Sequence, residues 1–172
     1  MNAENAKFLV EHYARLIESE LPATVKVLSA VRDDNRGYKP DEKSRTAWEL
    51  ATHIATSDVW FLDSIINGRF EFNPDAAKQA ESQFKSVNDV VEFYKQTLPE
   101  KLQQLRSLSP EAMTREVDFF GFMKAPAVTF LGIANNHGIH HRGQLASYLR
   151  AHGSKVPAIY GGSADEPMQA AG

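Results

Sequence analysis

The sequence predicts an all-α protein: a four-helix bundle with a long crossover connection and an extended C-terminal tail. Three observations carry that expectation. Four segments repeat apolar residues at three- and four-residue steps, the period that puts them on one face of a helix. No stretch alternates apolar and polar residues convincingly enough to mark a strand. Polar runs holding proline or glycine separate the periodic segments. The bundle is expected over residues 1–153 and the tail over 154–172.

The first helix is expected from Asn5 to about Val31, with Phe8, Leu9, Tyr13, Leu16, Ile17, Leu21, Val25 and Leu28 on its apolar face. Pro22 lacks a backbone donor and is expected to kink or split it. His12, beside Glu11 and off the centre of that face, reads as a solvated side chain. Residues 32–45 are polar, contain Gly37 and Pro40, and read as a loop. A second helix is expected from Ser44 or Thr46, either of which can cap it, through Ile66, with Asn67-Gly68 as its stop. Leu50, Ile54, Phe61 and Ile65 give it an apolar face. Residues 69–86, polar and holding Pro74, read as a crossover longer than the usual connection of about two to eight residues. A third helix runs from Val87 to about Leu105, opened by Ser86 or Asn88-Asp89 and weakened by Pro99. Residues 107–125, with Pro110, Gly121 and the cluster Val117, Phe119, Phe120, Phe122 and Met123, read as a short hairpin or a packed loop. Pro126 suits the first turn of a fourth helix, which runs to His152 and stops at Gly153.

At 172 residues the chain suits a single domain that buries about two thirds of the surface its unfolded form exposes. It has no cysteine, which excludes disulfides, thiolate metal sites and a cysteine nucleophile. Any metal must be held by nitrogen and oxygen, and any thiol must come from outside. The 19 basic and 22 acidic residues are scattered, so no basic stripe awaits a phosphate backbone and nucleic acid is not an expected partner. The first twenty residues mix charges from Glu4 onward, and no apolar run approaches the length of a membrane span. A soluble, cytoplasmic protein without a membrane partner is expected.

Three of the six histidines fall within five residues of the stretch Asn135-Asn136-His137-Gly138-Ile139-His140-His141-Arg142-Gly143-Gln144-Leu145. With His137 at zero and about 100° per residue, Phe130, Ala134, Leu145 and Tyr148 fall at roughly +20° to +80°. His141 falls at roughly +40°, inside that stripe, and His140 at roughly −60°, on its border. Two imidazoles buried in an apolar stripe cost free energy unless both find partners. A shared cation satisfies both, and so would hydrogen bonds within the core; spacing alone leaves both readings open. His53 lies beside the apolar face of the second helix, and as a lone histidine it reads as packed or exposed. Facing helices of a bundle build metal sites from inward side chains. Three nitrogen ligands leave a coordination position free, the mark of a catalytic rather than a structural site.

The histidine of the second helix, the N-N-H-x-x-H-H-R-G-Q-L stretch, Tyr148-Leu149-Arg150, Val156-Pro157 and Ile159-Tyr160-Gly161 together resemble the DinB superfamily of DinB/YfiT-like proteins. The likeness covers nearly the whole chain and is most specific from Asn135 to Tyr160. It implies a four-helix bundle and a three-histidine site for a divalent transition metal (zinc, nickel or iron), made of His53, His137 and His141. Members with assigned activities include bacillithiol-using thiol S-transferases and the mycothiol-dependent maleylpyruvate isomerase. The resemblance therefore implies a metal-dependent enzyme that activates a low-molecular-weight thiol toward a small-molecule substrate. Relatives without a known reaction imply the alternative, a non-catalytic metal- or small-molecule-binding stress-response bundle. A homodimer through helix faces is implied in the same way. Glu49, one turn before His53, is a candidate to orient that ring or a solvated charge. Arg142 points about 100° from His141 and reads as a cofactor contact or as a surface or subunit-interface residue.

Overall fold

Asn2 opens the first helix by accepting the Asn5 amide on its side chain, and α1 runs unbroken from Ala3 to Ser29. The structure, a computed structural model, describes residues 1–168. The expected break at Pro22 is absent. Pro22 lies on the exposed face, and the carbonyl it frees, that of exposed Glu18, points toward water. Pro99, half-buried in α4 (Val87–Arg106), likewise frees the carbonyl of an exposed residue, Lys95.

Thr46 and Glu49 form a reciprocal cap at the start of α2 (Ala47–Asn67), and Ser86 and Asp89 do the same for α4. Gly68 closes α2 at φ 69°, a left-handed conformation, and its missing side chain admits the Arg115 guanidinium. Arg115 donates there to the Ile66 carbonyl at 2.8 Å, satisfying an end of α2. The crossover is not featureless. It contains α3 (Pro74–Ser82), capped by Asn73, so Pro74 starts a helix where it was read as an interruption. Its pattern is weak because α3 buries no residue and its one apolar face holds only alanines.

A short helix, α5 (Pro110–Thr114), precedes an antiparallel hairpin of β1 (Glu116–Phe119) and β2 (Met123–Pro126), with Glu116 opposite Pro126 and Phe119 opposite Met123. Of the two expectations for this stretch, the hairpin is the one realised. Pro126 ends β2 instead of starting the last helix; a 3₁₀ turn over Ala127–Thr129 leads into α6 (Phe130–Ala151).

The bundle consists of α1, α2, α4 and α6. Both α1 and α2 pack against α4 and α6, so the consecutive helices α1 and α2 lie diagonally opposite and the connection between them crosses one end. Leu28, Leu50, Ile54, Leu98, Phe130 and Leu145 close the core between them. Past Gly153 the tail has no helix or strand through residue 168 and lies on the bundle. Arg150 pairs with Asp165 at 2.7 Å, Lys26 with Glu166 at 3.3 Å, and the Tyr160 hydroxyl donates to Glu20 at 2.8 Å. The final four residues of the expected tail lie outside the described ones. Among the described residues no helix is long and apolar enough to cross a membrane.

Candidate metal centre

The period of α6 sets His137 and His141 one turn apart, with ring centroids at 4.4 Å. Packing of α2 on α6 brings His53 to 5.2 Å from the first ring and 4.7 Å from the second. One nitrogen from each lies within 4.8 Å of the other two. At that bound a single point falls within about 2.8 Å of all three, and side-chain rotation covers the difference from the about 2.0–2.1 Å of a metal–imidazole bond. His140 is exposed and meets His141 edge-on from outside the cluster, as its helical phase requires.

The back nitrogens of both α6 rings face oxygen. His141 Nδ1 lies 3.1 Å from Gln144 Oε1. Accepting by that oxygen makes Nδ1 the protonated nitrogen and leaves Nε2 its lone pair. His137 Nδ1 is buried 3.8 Å from Asp58 Oδ1, and neither atom has a hydrogen-bond partner. Tyr94 donates to the other oxygen of Asp58 at 2.8 Å and holds the carboxylate in place. Burial and the Asp58 charge push the Tyr94 hydroxyl well above its ordinary pKa, so it stays a donor. Gly138 makes the approach possible, since a Cβ there would stand 3.0 Å from Asp58 Oδ2.

Asp58 was missed in the sequence, although a signal existed. It continues the apolar rhythm Leu50, Ile54, Asp58, Phe61, Ile65, and a carboxylate at a core position of a helix demands a polar partner across the interface.

Burial, followed by Arg45 and the two neighbouring histidines, pushes His53 down to about 3. Burial also lowers His141, against the Gln144 hydrogen bond. Both rings are therefore neutral near pH 7, the form that ligates. Three convergent nitrogens, two with oxygens at their back nitrogens, fit a divalent ion. Phe61 lies 5.1 Å from His137, centroid to centroid, and shields one side. His53 and His137 border a cleft of about 480 Å³ between α2 and α3, walled by the same Phe61 with Trp60 and Phe72. A ligand in the cleft would lie against His53 and His137.

Two expectations need correction. Glu49 does not orient His53: its carboxylate accepts from the Thr46 amide at 2.7 Å and is spent on the helix cap. Arg142 is neither on the surface nor at an interface, being 1% exposed. It binds the Glu20 carboxylate, Thr24 Oγ1 at 3.1 Å, the Glu20 carbonyl at 3.2 Å and the Tyr160 hydroxyl. Because α6 packs on both α1 and α2, turning 100° away from the histidines points a side chain into the α1 interface, not into water. Trp60 lines the cleft and Tyr148 packs edge-on against Tyr38 in the core.

The chain is similar to YjoA, an uncharacterized protein of Bacillus subtilis (strain 168), at 32% identity over 88% of this chain and 94% of that one. The crystal structure of that DinB-like protein superposes with a TM-score of 0.67 over 86% of this chain and 97% of its own. YfiT of Bacillus subtilis, described as a probable metal-dependent hydrolase with an unusual four-helix bundle topology, shares the fold at 12% identity and a TM-score of 0.67, over 85% of this chain and 89% of its own. The mycothiol-dependent maleylpyruvate isomerase shares it at 14% identity and a TM-score of 0.60, over 79% of this chain and 60% of its own. The sequence model of the DinB family matches residues 1–170, and with the YjoA likeness this places the chain in the DinB family.

Proposed function

We propose that this protein is a metal-dependent enzyme that activates a low-molecular-weight thiol for attack on an electrophile held in the cleft. The observation that carries the reading is the convergence of three imidazoles, two of them with an oxygen at the back nitrogen, beside a cleft of about 480 Å³. A divalent ion bound there supplies Lewis acidity, holding a thiol in its anionic, nucleophilic form near neutral pH. His53, His137 and His141 would hold the ion; Gln144 accepts from His141 Nδ1 and fixes that ring's tautomer, and the Asp58 carboxylate stands 3.8 Å behind His137. Trp60, Phe61 and Phe72 offer an apolar wall that binds the body of an electrophile and excludes water. In the reaction the thiol proton leaves to solvent, a sulfur–carbon bond forms, and the leaving group departs with its electron pair. The absence of cysteine requires the sulfur to come from a diffusible molecule. The fold neighbours described as a probable metal-dependent hydrolase and a mycothiol-dependent isomerase support metal and thiol chemistry on this scaffold.

The test begins with metal analysis of protein purified without a histidine tag, where about one divalent ion per chain is expected. The loaded protein should then accelerate conjugation of monobromobimane to a small thiol. His137→Ala and His141→Ala should lose both metal and turnover while His140→Ala keeps both. Equal loss in all three removes the assigned site. Metal without any thiol-dependent turnover leaves the non-catalytic binding bundle as the reading, and thiol-independent hydrolysis of an activated ester assigns water as the nucleophile.

A further inference from the structure

Two opposite charges stand at one end of the cleft without forming an ion pair with each other. Arg45, just before the α2 cap, and Glu81, in the last turn of α3, border both the cleft and the adjoining groove beneath residues 39–45. Among the described residues neither makes an ion pair or a side-chain hydrogen bond. Glu81 is half-buried, and burial raises its carboxyl above the ordinary value although Arg45 pulls it down. Such a carboxylate gains from an added cationic partner. The α3 face between this charged end and Trp60 consists of Ala76, Ala77 and Ala80, whose short side chains leave the width of the cleft open.

Resting on the thiol reading above, we propose that the cleft takes a thiol with a zwitterionic, amino-acid-type head, its carboxylate on Arg45, its ammonium on Glu81 and its sulfur directed to the three histidines. A purely anionic head would face Glu81, and a purely cationic head would face Arg45. An uncharged head would desolvate both charges and pair neither. Only a head carrying both signs satisfies the two residues at once, with charge-assisted hydrogen bonds. The alanine face of α3 then accommodates the ligand's body while the aromatic wall of α2 is left to the electrophile.

Cobalt-loaded full-length protein tests this through the near-ultraviolet thiolate-to-cobalt absorption, titrated with cysteine, N-acetylcysteine, cysteamine and 2-mercaptoethanol. Cysteine should half-saturate the band at about tenfold lower concentration than either N-acetylcysteine or cysteamine, each of which lacks one charge, with 2-mercaptoethanol weakest. Arg45→Ala should bring cysteine down to the level of cysteamine, and Glu81→Gln should bring it to that of N-acetylcysteine. Both side chains lack structural partners, so the variants are expected to fold. A cysteine preference that survives in both variants means its amine chelates the cobalt directly and overturns the proposal. Four thiols of equal strength overturn it while leaving the thiol reading intact. No absorption with any of them removes the thiol reading and this inference together.

Discussion

Helix α6 carries two buried polar clusters on adjacent faces, and they are finished to different degrees. Toward α1, Arg142 is fully buried, and its charge is met by the Glu20 carboxylate, Thr24 Oγ1, the Glu20 carbonyl and the Tyr160 hydroxyl. Toward α2, one nitrogen each of His53, His137 and His141 lies within 4.8 Å of the other two, and the His137–Asp58 pair stands open at 3.8 Å. Between the two lies a small cavity of about 20 Å³ bordered by Asp58, Tyr94, Asn135 and Arg142. The first cluster is complete within the chain and acts as a structural clamp on α1, α6 and the tail. The second leaves its convergent nitrogens without partners among the described residues, as the proposed ion site requires.

The largest effect that tests this contrast comes from the clamp. Arg142→Ala should cost about 3 kcal/mol, the low end for breaking a buried pair, because Glu20 keeps some contact with water. A urea titration of the metal-free protein measures it, and a loss below about 1 kcal/mol would dissolve the distinction. Next in size is Asp58→Asn, which keeps an acceptor for Tyr94 but removes the carboxylate behind His137. Metal affinity should fall about 10–100-fold with the fold intact, read by competition with a chromophoric chelator. In the same cluster His53→Gln should abolish stoichiometric metal yet change metal-free stability by no more than about 1 kcal/mol, since the ring gives up no hydrogen bond. A destabilisation as large as that of Arg142→Ala would make His53 structural.

The smallest effect is in pH. The folded state holds His53 at about 3 while the unfolded chain protonates it near 6.5, so the unfolded state binds more protons between those values. Stability of the metal-free protein is therefore full above 6.5 and declines as pH falls toward 3. The ring keeps some contact with water, which screens its charge and reduces the stability the shift carries. The urea midpoint should drop on going from about pH 7 to about pH 5, and drop less in His53→Gln. An equal drop in both proteins would assign the pH dependence to other groups.

Much of this protein was legible without coordinates. The apolar rhythm of four segments marked the bundle helices within a few residues, because burying one stripe is the only way such helices are stabilised. Phase along one helix separated His141 from His140, since the angle between them is a property of the local backbone. Local pattern erred where two outcomes share a composition. Pro74 begins α3 although proline also ends helices, and Pro22 and Pro99 are tolerated because the carbonyls they free face solvent.

What tertiary structure alone decided is which faces meet. The diagonal placement of α1 and α2 puts α6 between two partners, and so buries Arg142 on one side and brings His53 to the histidine pair on the other. The same packing sets Asp58 behind His137 across the gap left by Gly138, and stands α3 off α2 to open the cleft. Periodicity specifies the angle of a side chain about its own axis, whereas the identity of its neighbour depends on contacts made by residues far apart in the chain, which no local spacing encodes.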